Sequence, residues 1–367
     1  MSTSESSSAM AELWEAGQSV WLDYIRRDLL ESGDMTAMVE QGLRGMTSNP
    51  SIFEKSIAGS HQYDSAIAEL DAMALDAKGV FEAIAIRDIQ MAADVLRPVY
   101  DQAPGVDGFV SLEVSPTLAH DTDGTLEEAR RLWAAVDRPN LMIKVPATPA
   151  GIPAITALIG DNINVNVTLM FSLDHYEYVA KAYLAGLDLA KDPSTVASVA
   201  SFFVSRVDSA VDAALETVGT ERALELRGKI AIANSKAAYL RFQELFGDDF
   251  EAMWGKGALP QRLLWASTST KNPDYSDVLY IEELVGPLTV NTVPPAALEA
   301  MEDHGVVRPD ALSIGAEQAL VDLADLASVG VNLSTITEDL QDAGVRSFTS
   351  AFEGLLGAIE AKQTTLT

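Results

Sequence analysis

Cysteine is absent from this chain, and histidine occurs only four times in 367 residues. Without thiols there is no disulfide, no thiolate nucleophile and no Cys-based metal site. Positive charge is scarce as well: 25 Lys and Arg stand against 54 Asp and Glu, a formal charge of −29. That balance opposes nucleic acid and acidic membrane surfaces as partners, and any anionic ligand must be held by local positive groups. No apolar run is long enough to span a bilayer and no charged-then-apolar leader opens the sequence, so a cytoplasmic location is expected. There is neither a P-loop nor a dinucleotide fingerprint, and the one metal-like run, "HDTD" (His120 to Asp123), has no i, i+4 His pair beside it. No metal and no cofactor is expected. Two glycosylation-like triplets, at Asn166 and Asn332, lack a secretory context.

What the chain does have is 48% apolar residues in a regular alternation. Residues 1–10, "MSTSESSSAM", are Ser-rich and without an apolar face, and read as a disordered tail. From residue 11 onward eight apolar runs follow: "SVWLDYI", "GMTSNP", "DGFVSLEVSP", "NLMIKVPAT", "INVNVTLMFS", "VASVASFFVSRV", "RLLWASTST" and "VGPLTVNTVP". Segments with apolar residues at helical spacing separate them, such as Thr125 to Val136 and Leu173 to Leu187. Eight strand-helix units predict an α/β fold, a single (β/α)8 barrel domain spanning residues 11–367. Asp208 to Pro260 is too long for one crossover and reads as two or more additional helices between strands six and seven. Gly344 to Lys362 places Val345, Phe348, Phe352, Leu355 and Ile359 on one face of a terminal helix.

Polar residues gather at the ends of these runs, where the catalytic groups of a barrel converge. Lys144 stands among Leu141, Met142, Ile143 and Val145, a setting that normally excludes an ammonium group. Taken alone it fits a snorkelling or salt-bridged lysine; it also fits a nucleophile, because a desolvated amine can lose its proton near neutrality and attack a carbonyl. Asp23 in "VWLDYI" and Glu113 in "VSLEVS" have apolar neighbours on predicted strands, which suits inward-facing acid/base groups. In "TSNPS", Pro50 reads as turn chemistry, while Asn49 is held extended before it and can orient a substrate hydroxyl. Asn164, Asn166 and Thr168 alternate with Val165, Val167 and Leu169, so one face of the fifth strand is polar. A sugar would satisfy such a face.

With these strand ends assembled, the sequence resembles the transaldolase family. The likeness covers most of the barrel: "TSNPS" is similar to the family's second-strand motif, "LMIKVPATPAGIPA" to its Schiff-base lysine segment and "INVNVTLMFS" to its fifth-strand segment. It implies Lys144 as the imine-forming residue, Asp23 and Glu113 as acid/base groups and Thr168 as the holder of a catalytic water. It implies substrate contacts from Thr47, Asn49, Asn166 and Phe203, and a sugar-phosphate grip from Ser201 and Arg206. The activity implied is reversible transfer of a dihydroxyacetone unit between sugar phosphates, without a cofactor, in the non-oxidative pentose phosphate pathway. One departure is Ser201-Phe202-Phe203-Val204-Ser205-Arg206, where the family commonly has Ser-Pro-Phe-Val-Gly-Arg; another is Val145-Pro146, where many members differ. The second basic contact to phosphate is unassigned, with Lys236 and Arg241 as candidates. The smaller fructose-6-phosphate aldolases are the nearest alternative, but they resemble one another in carrying glutamine and tyrosine where this chain has Glu113 and Phe203. A non-catalytic sugar-phosphate sensor is the alternative from another class, and the presence of the lysine and both carboxylates speaks against it. Oligomeric state is not legible.

Overall fold

The structure, a computed structural model, describes residues 8–366. Its strands are β1 (Gln18–Asp23), β2 (Gly45–Thr47), β3 (Phe109–Glu113), β4 (Leu141–Pro146), β5 (Val165–Met170), β6 (Ser198–Phe203), β7 (Arg262–Ala266) and β8 (Thr289–Val293). They pair in chain order, all parallel, and β8 returns to pair with β1, closing an eight-stranded barrel. Every apolar run singled out in the sequence holds one of these strands, with Gln18 extending β1 by one residue. Strands buried against a packed interior on one side and helices on the other read as nearly continuous apolar runs, which is why they were visible.

Register decides which polar side chains become neighbours. Asp23 lies opposite Thr47, Glu113 opposite Lys144, Lys144 opposite Asn166 and Pro146 opposite Thr168. Five strands therefore bring their polar residues to the same end of the barrel. The other end is closed by a satisfied ion pair: Arg262 donates to Ser19 Oγ at 2.9 Å and lies 3.2 Å from Asp107, which also accepts from Ser19 and from Trp21 Nε1. A buried charge so fully paired serves packing rather than chemistry.

The long segment after β6 holds Ser205–Val218, Glu221–Leu224, Ile230–Leu245 and Glu251–Trp254, in line with the additional helices expected there. The terminal helix runs Leu333–Leu366 and buries the expected apolar stripe, but it starts well before Gly344. Its first turns bury Thr337 and Gln341 instead of apolar side chains, so periodicity gave no sign of them. Gln341 Nε2 donates 3.0 Å bonds to the carbonyls of Ala147 and Leu169. Leu169 has φ of +56° at a register break in β5, so the helix clamps an irregular backbone next to Thr168. At the other terminus, Ala9 and Met10, read as the end of the tail, open a helix (Ala9–Glu15) capped by Ser8, and Met10 is buried. The tail before Ser8 lies outside the described residues. Among the described residues no single helix is long and apolar enough to cross a membrane.

Candidate active site

The C-terminal mouth of the barrel opens into a cavity of about 560 Å³. Lys144 reaches it from the middle of β4, with only 6% of its side chain exposed. Nζ donates to the carbonyl of Ser48 at 3.2 Å and lies 3.5 Å from Glu113 Oε2. The latter is an ion-pair distance, long for a hydrogen bond. Ser48 is itself fixed by a 2.7 Å bond from its hydroxyl to Ser111 O, so the lysine head is aimed by rigid neighbours.

Glu113 stands behind the lysine rather than on the cavity wall. Burial pushes its carboxyl up to about 7; the Lys144 ammonium opposes the shift and Asp23 adds to it. Asp23, half-buried at the end of β1, is also raised by burial, against the pull of Lys144, Lys271 and Arg206. Two carboxyls therefore face one amine, and both are shifted towards their protonated forms. Glu113 Oε2, Thr168 Oγ1 and Thr47 Oγ1 are buried without a hydrogen-bond partner among the described residues. Buried polar atoms left open in this way call for a ligand or a water.

Thr47, Asn49, Thr168, Ser201, Phe203 and Arg206 all border the cavity. Asn49 also caps the helix Pro50–Ala58 by accepting from Ile52 N at 3.0 Å, which leaves its NH2 group for a ligand. Asn166 differs from the sequence reading: it is fully buried away from the cavity, donating to Ser111 Oγ at 3.0 Å and accepting from Ser201 Oγ at 2.7 Å. Its amide is occupied inside the barrel.

Arg206 sits in the first turn of the helix Ser205–Val218, its guanidinium 5.3 Å from the Phe203 ring centroid and 5.9 Å from that of Phe348. A surface arginine would have paired with Asp208 or Asp212. Those carboxylates are engaged elsewhere, Asp208 with Ala231 N and the Tyr280 hydroxyl, Asp212 with Gly228 N and the Tyr275 hydroxyl. Arg206 makes no ion pair among the described residues, so its fork is left for an anion.

Neither candidate for the second basic contact is at the site. Lys236 donates to Ile314 O at 2.7 Å near Glu283, and Arg241 pairs with Glu177 and Glu244. Besides Lys144 and Arg206, the cations that border the cavity are Lys271, in the loop after β7, and Lys55, on the helix after β2. Sequence reasoning missed both. The signal for Lys271 was its place beyond the polar run "STSTK" that ends a barrel strand; Lys55 lies on a helix and carried none. Phe348, the aromatic residue of the terminal helix that faces the cavity, was read only as core.

A closed eight-stranded barrel with a buried amine, two raised carboxyls and unpaired cations at its C-terminal mouth defines the lysine-centred class of (β/α)8 barrels. Residues 20–359 match the family model described as Transaldolase/Fructose-6-phosphate aldolase. Curated relatives named transaldolase include one from Parafrankia sp. (strain EAN1pec), 48% identical over 359 residues, covering 96% of this chain and 97% of that protein. One from Thermobifida fusca (strain YX) is 48% identical over 358 residues, with 96% and 97% covered. One from Mycobacterium tuberculosis (strain CDC 1551 / Oshkosh) is 45% identical over 354 residues, with 95% of each chain covered. The chain belongs to the transaldolase/fructose-6-phosphate aldolase family.

Proposed function

We infer that this chain catalyses the transaldolase reaction, the reversible transfer of a dihydroxyacetone unit from a ketose phosphate to an aldose phosphate, through an imine on Lys144. The observation that carries the reading is the Lys144 amine, almost wholly buried yet open to the cavity, 3.5 Å from a carboxyl whose pKa is about 7. The donors are fructose 6-phosphate and sedoheptulose 7-phosphate, and the acceptors glyceraldehyde 3-phosphate and erythrose 4-phosphate, which places the step in the non-oxidative pentose phosphate pathway.

The neutral amine attacks C2 of the ketose, and the carbinolamine loses its hydroxyl as water. Glu113 supplies and removes the protons through a water bound at the open Thr168 hydroxyl, a role that suits an acid poised near neutrality. The iminium then serves as an electron sink. Asp23 takes the proton of the C4 hydroxyl, the C3–C4 bond breaks, its electron pair forms an enamine on Lys144, and the aldehyde phosphate leaves. Attack of the enamine on an acceptor aldehyde reforms that bond, Asp23 returns the proton, and hydrolysis of the imine frees the new ketose. Thr47 and Asn49 hold hydroxyls, while Arg206 with Ser201 and Lys271 grips the phosphate. Asn166 acts indirectly, by holding Ser201 in place.

Transfer is favoured over aldol cleavage because Glu113 and Phe203 stand where the aldolases resemble one another in glutamine and tyrosine. The test is an incubation with fructose 6-phosphate and erythrose 4-phosphate, read for sedoheptulose 7-phosphate and for free dihydroxyacetone. The heptulose phosphate should accumulate with little free triose. Predominant dihydroxyacetone would identify a lyase, and no turnover would favour a sensor.

A further inference from the structure

Three cations border the cavity beyond the lysine at its base, and exposure orders them by depth: Arg206 is half-buried, while Lys271 and Lys55 are exposed at the rim. None of them forms an ion pair with a carboxylate among the described residues, although Asp and Glu outnumber Lys and Arg by 54 to 25. Lys271 donates to Ser269 Oγ at 2.8 Å; the Lys55 side chain makes no hydrogen bond among the described residues. Lys55 lies four residues after Ser51 on the helix Pro50–Ala58, and both border the cavity, so one face of that helix forms its wall.

The charges also fall in sequence. Asp23, beside the bond that breaks, feels Lys144, Lys271 and Arg206, and Lys55 is not among the charges acting on it. Lys271 feels both Arg206 and Lys55. Of the three, Lys55 is the one that does not act on the carboxyl beside the reacting carbons, as suits its exposed place on the outer wall of the cavity.

The distance from those carbons to the phosphate differs between substrates. Counted from C4, the phosphate of a ketose 6-phosphate is borne by the third carbon and that of a ketose 7-phosphate by the fourth, one C–C bond of about 1.5 Å farther out. Resting on the function inferred above, we propose that Lys55 is a specificity-determining residue, which engages the phosphate of the longer sugars and so sets the preference for sedoheptulose 7-phosphate over fructose 6-phosphate. Arg206 and Lys271 grip the phosphate of both; Lys55 adds its charge only when the phosphate lies one carbon nearer the rim.

The experiment compares kcat/KM for the two donors with unphosphorylated glyceraldehyde as common acceptor, so that only the donor carries a phosphate. Lys55→Met should lower the ratio of the seven-carbon to the six-carbon value by about two- to fivefold, the range of one solvent-screened charge contact. Lys55→Arg should restore it. Lys55 is exposed, so neither change touches the core, and a merely structural effect would lower both values alike. An unchanged or rising ratio in Lys55→Met, with the wild type active on both donors, would overturn this inference and leave the function standing. A wild type that transfers nothing from either donor would overturn the function, and this inference with it.

Discussion

Glu113 is the residue whose chemistry depends most on its surroundings. A carboxyl that titrates at about 7 is divided between acid and base at neutral pH, so turnover should change through that region. Glu113→Gln should lower kcat by about two orders of magnitude or more and remove that inflection from the pH–rate profile. The same shift affects stability. Its pKa rises from 4.5 when unfolded to about 7 when folded, so the native state holds the proton more tightly across that window. The contribution of Glu113 to stability is then greatest below pH 4.5 and is lost as pH rises to about 7. Glu113→Gln cannot ionise, so thermal melts at pH 5 and pH 8 should differ less in the variant than in the wild type. Asp23 contributes with the same sign in both proteins, and the difference between them isolates Glu113. An unaltered pH–rate profile in Glu113→Gln would remove Glu113 from the chemistry.

The element that carries Lys144 depends on a glycine beyond it. A Cβ on Gly151 would lie 2.0 Å from the carbonyl of Pro146, the last residue of β4. The helix Gly151–Gly160 can thus begin against the strand end only without a side chain at that position, which explains the glycine in "VPATPAGIPA". Gly151→Ala should push the end of β4, costing about 1–3 kcal/mol of unfolding free energy. It should lower kcat more than it alters KM, since Lys144 lies two residues before the displaced carbonyl. A variant with wild-type urea midpoint and kcat would contradict this. At this scale the sequence was legible wherever burial leaves a pattern: β4 and β5 read as apolar runs with polar ends, and Lys144 and Thr168 lie on them. Contacts set by loops and helix packing were not. Lys271 and Lys55 have no periodic neighbours to mark them, Lys236 looked basic and free but is bonded to a carbonyl, and the amide of Asn166 is consumed by serines on β3 and β6. The first turns of the terminal helix were missed because they bury threonine and glutamine.

Across the whole molecule, an excess of negative charge encloses a mouth that gathers unpaired cations. With a formal charge of −29 the long-range field repels a phosphate dianion, and salt screens that field over about 8–10 Å, so binding rests on contacts inside the cavity. Closure of the barrel lets separate strands supply the amine, the two carboxyls and the hydroxyls, while the terminal helix brings Phe348 within 6.0 Å of Lys144 and packs against Arg206. In the function inferred above, the covalent step rests on a single amine. The most direct test is mass spectrometry of peptides after borohydride reduction in the presence of fructose 6-phosphate. A reduced three-carbon sugar unit on Lys144, and on no other lysine, is the result expected; an adduct on Lys55, Lys236 or Lys271 instead, or no adduct at all, would contradict the account.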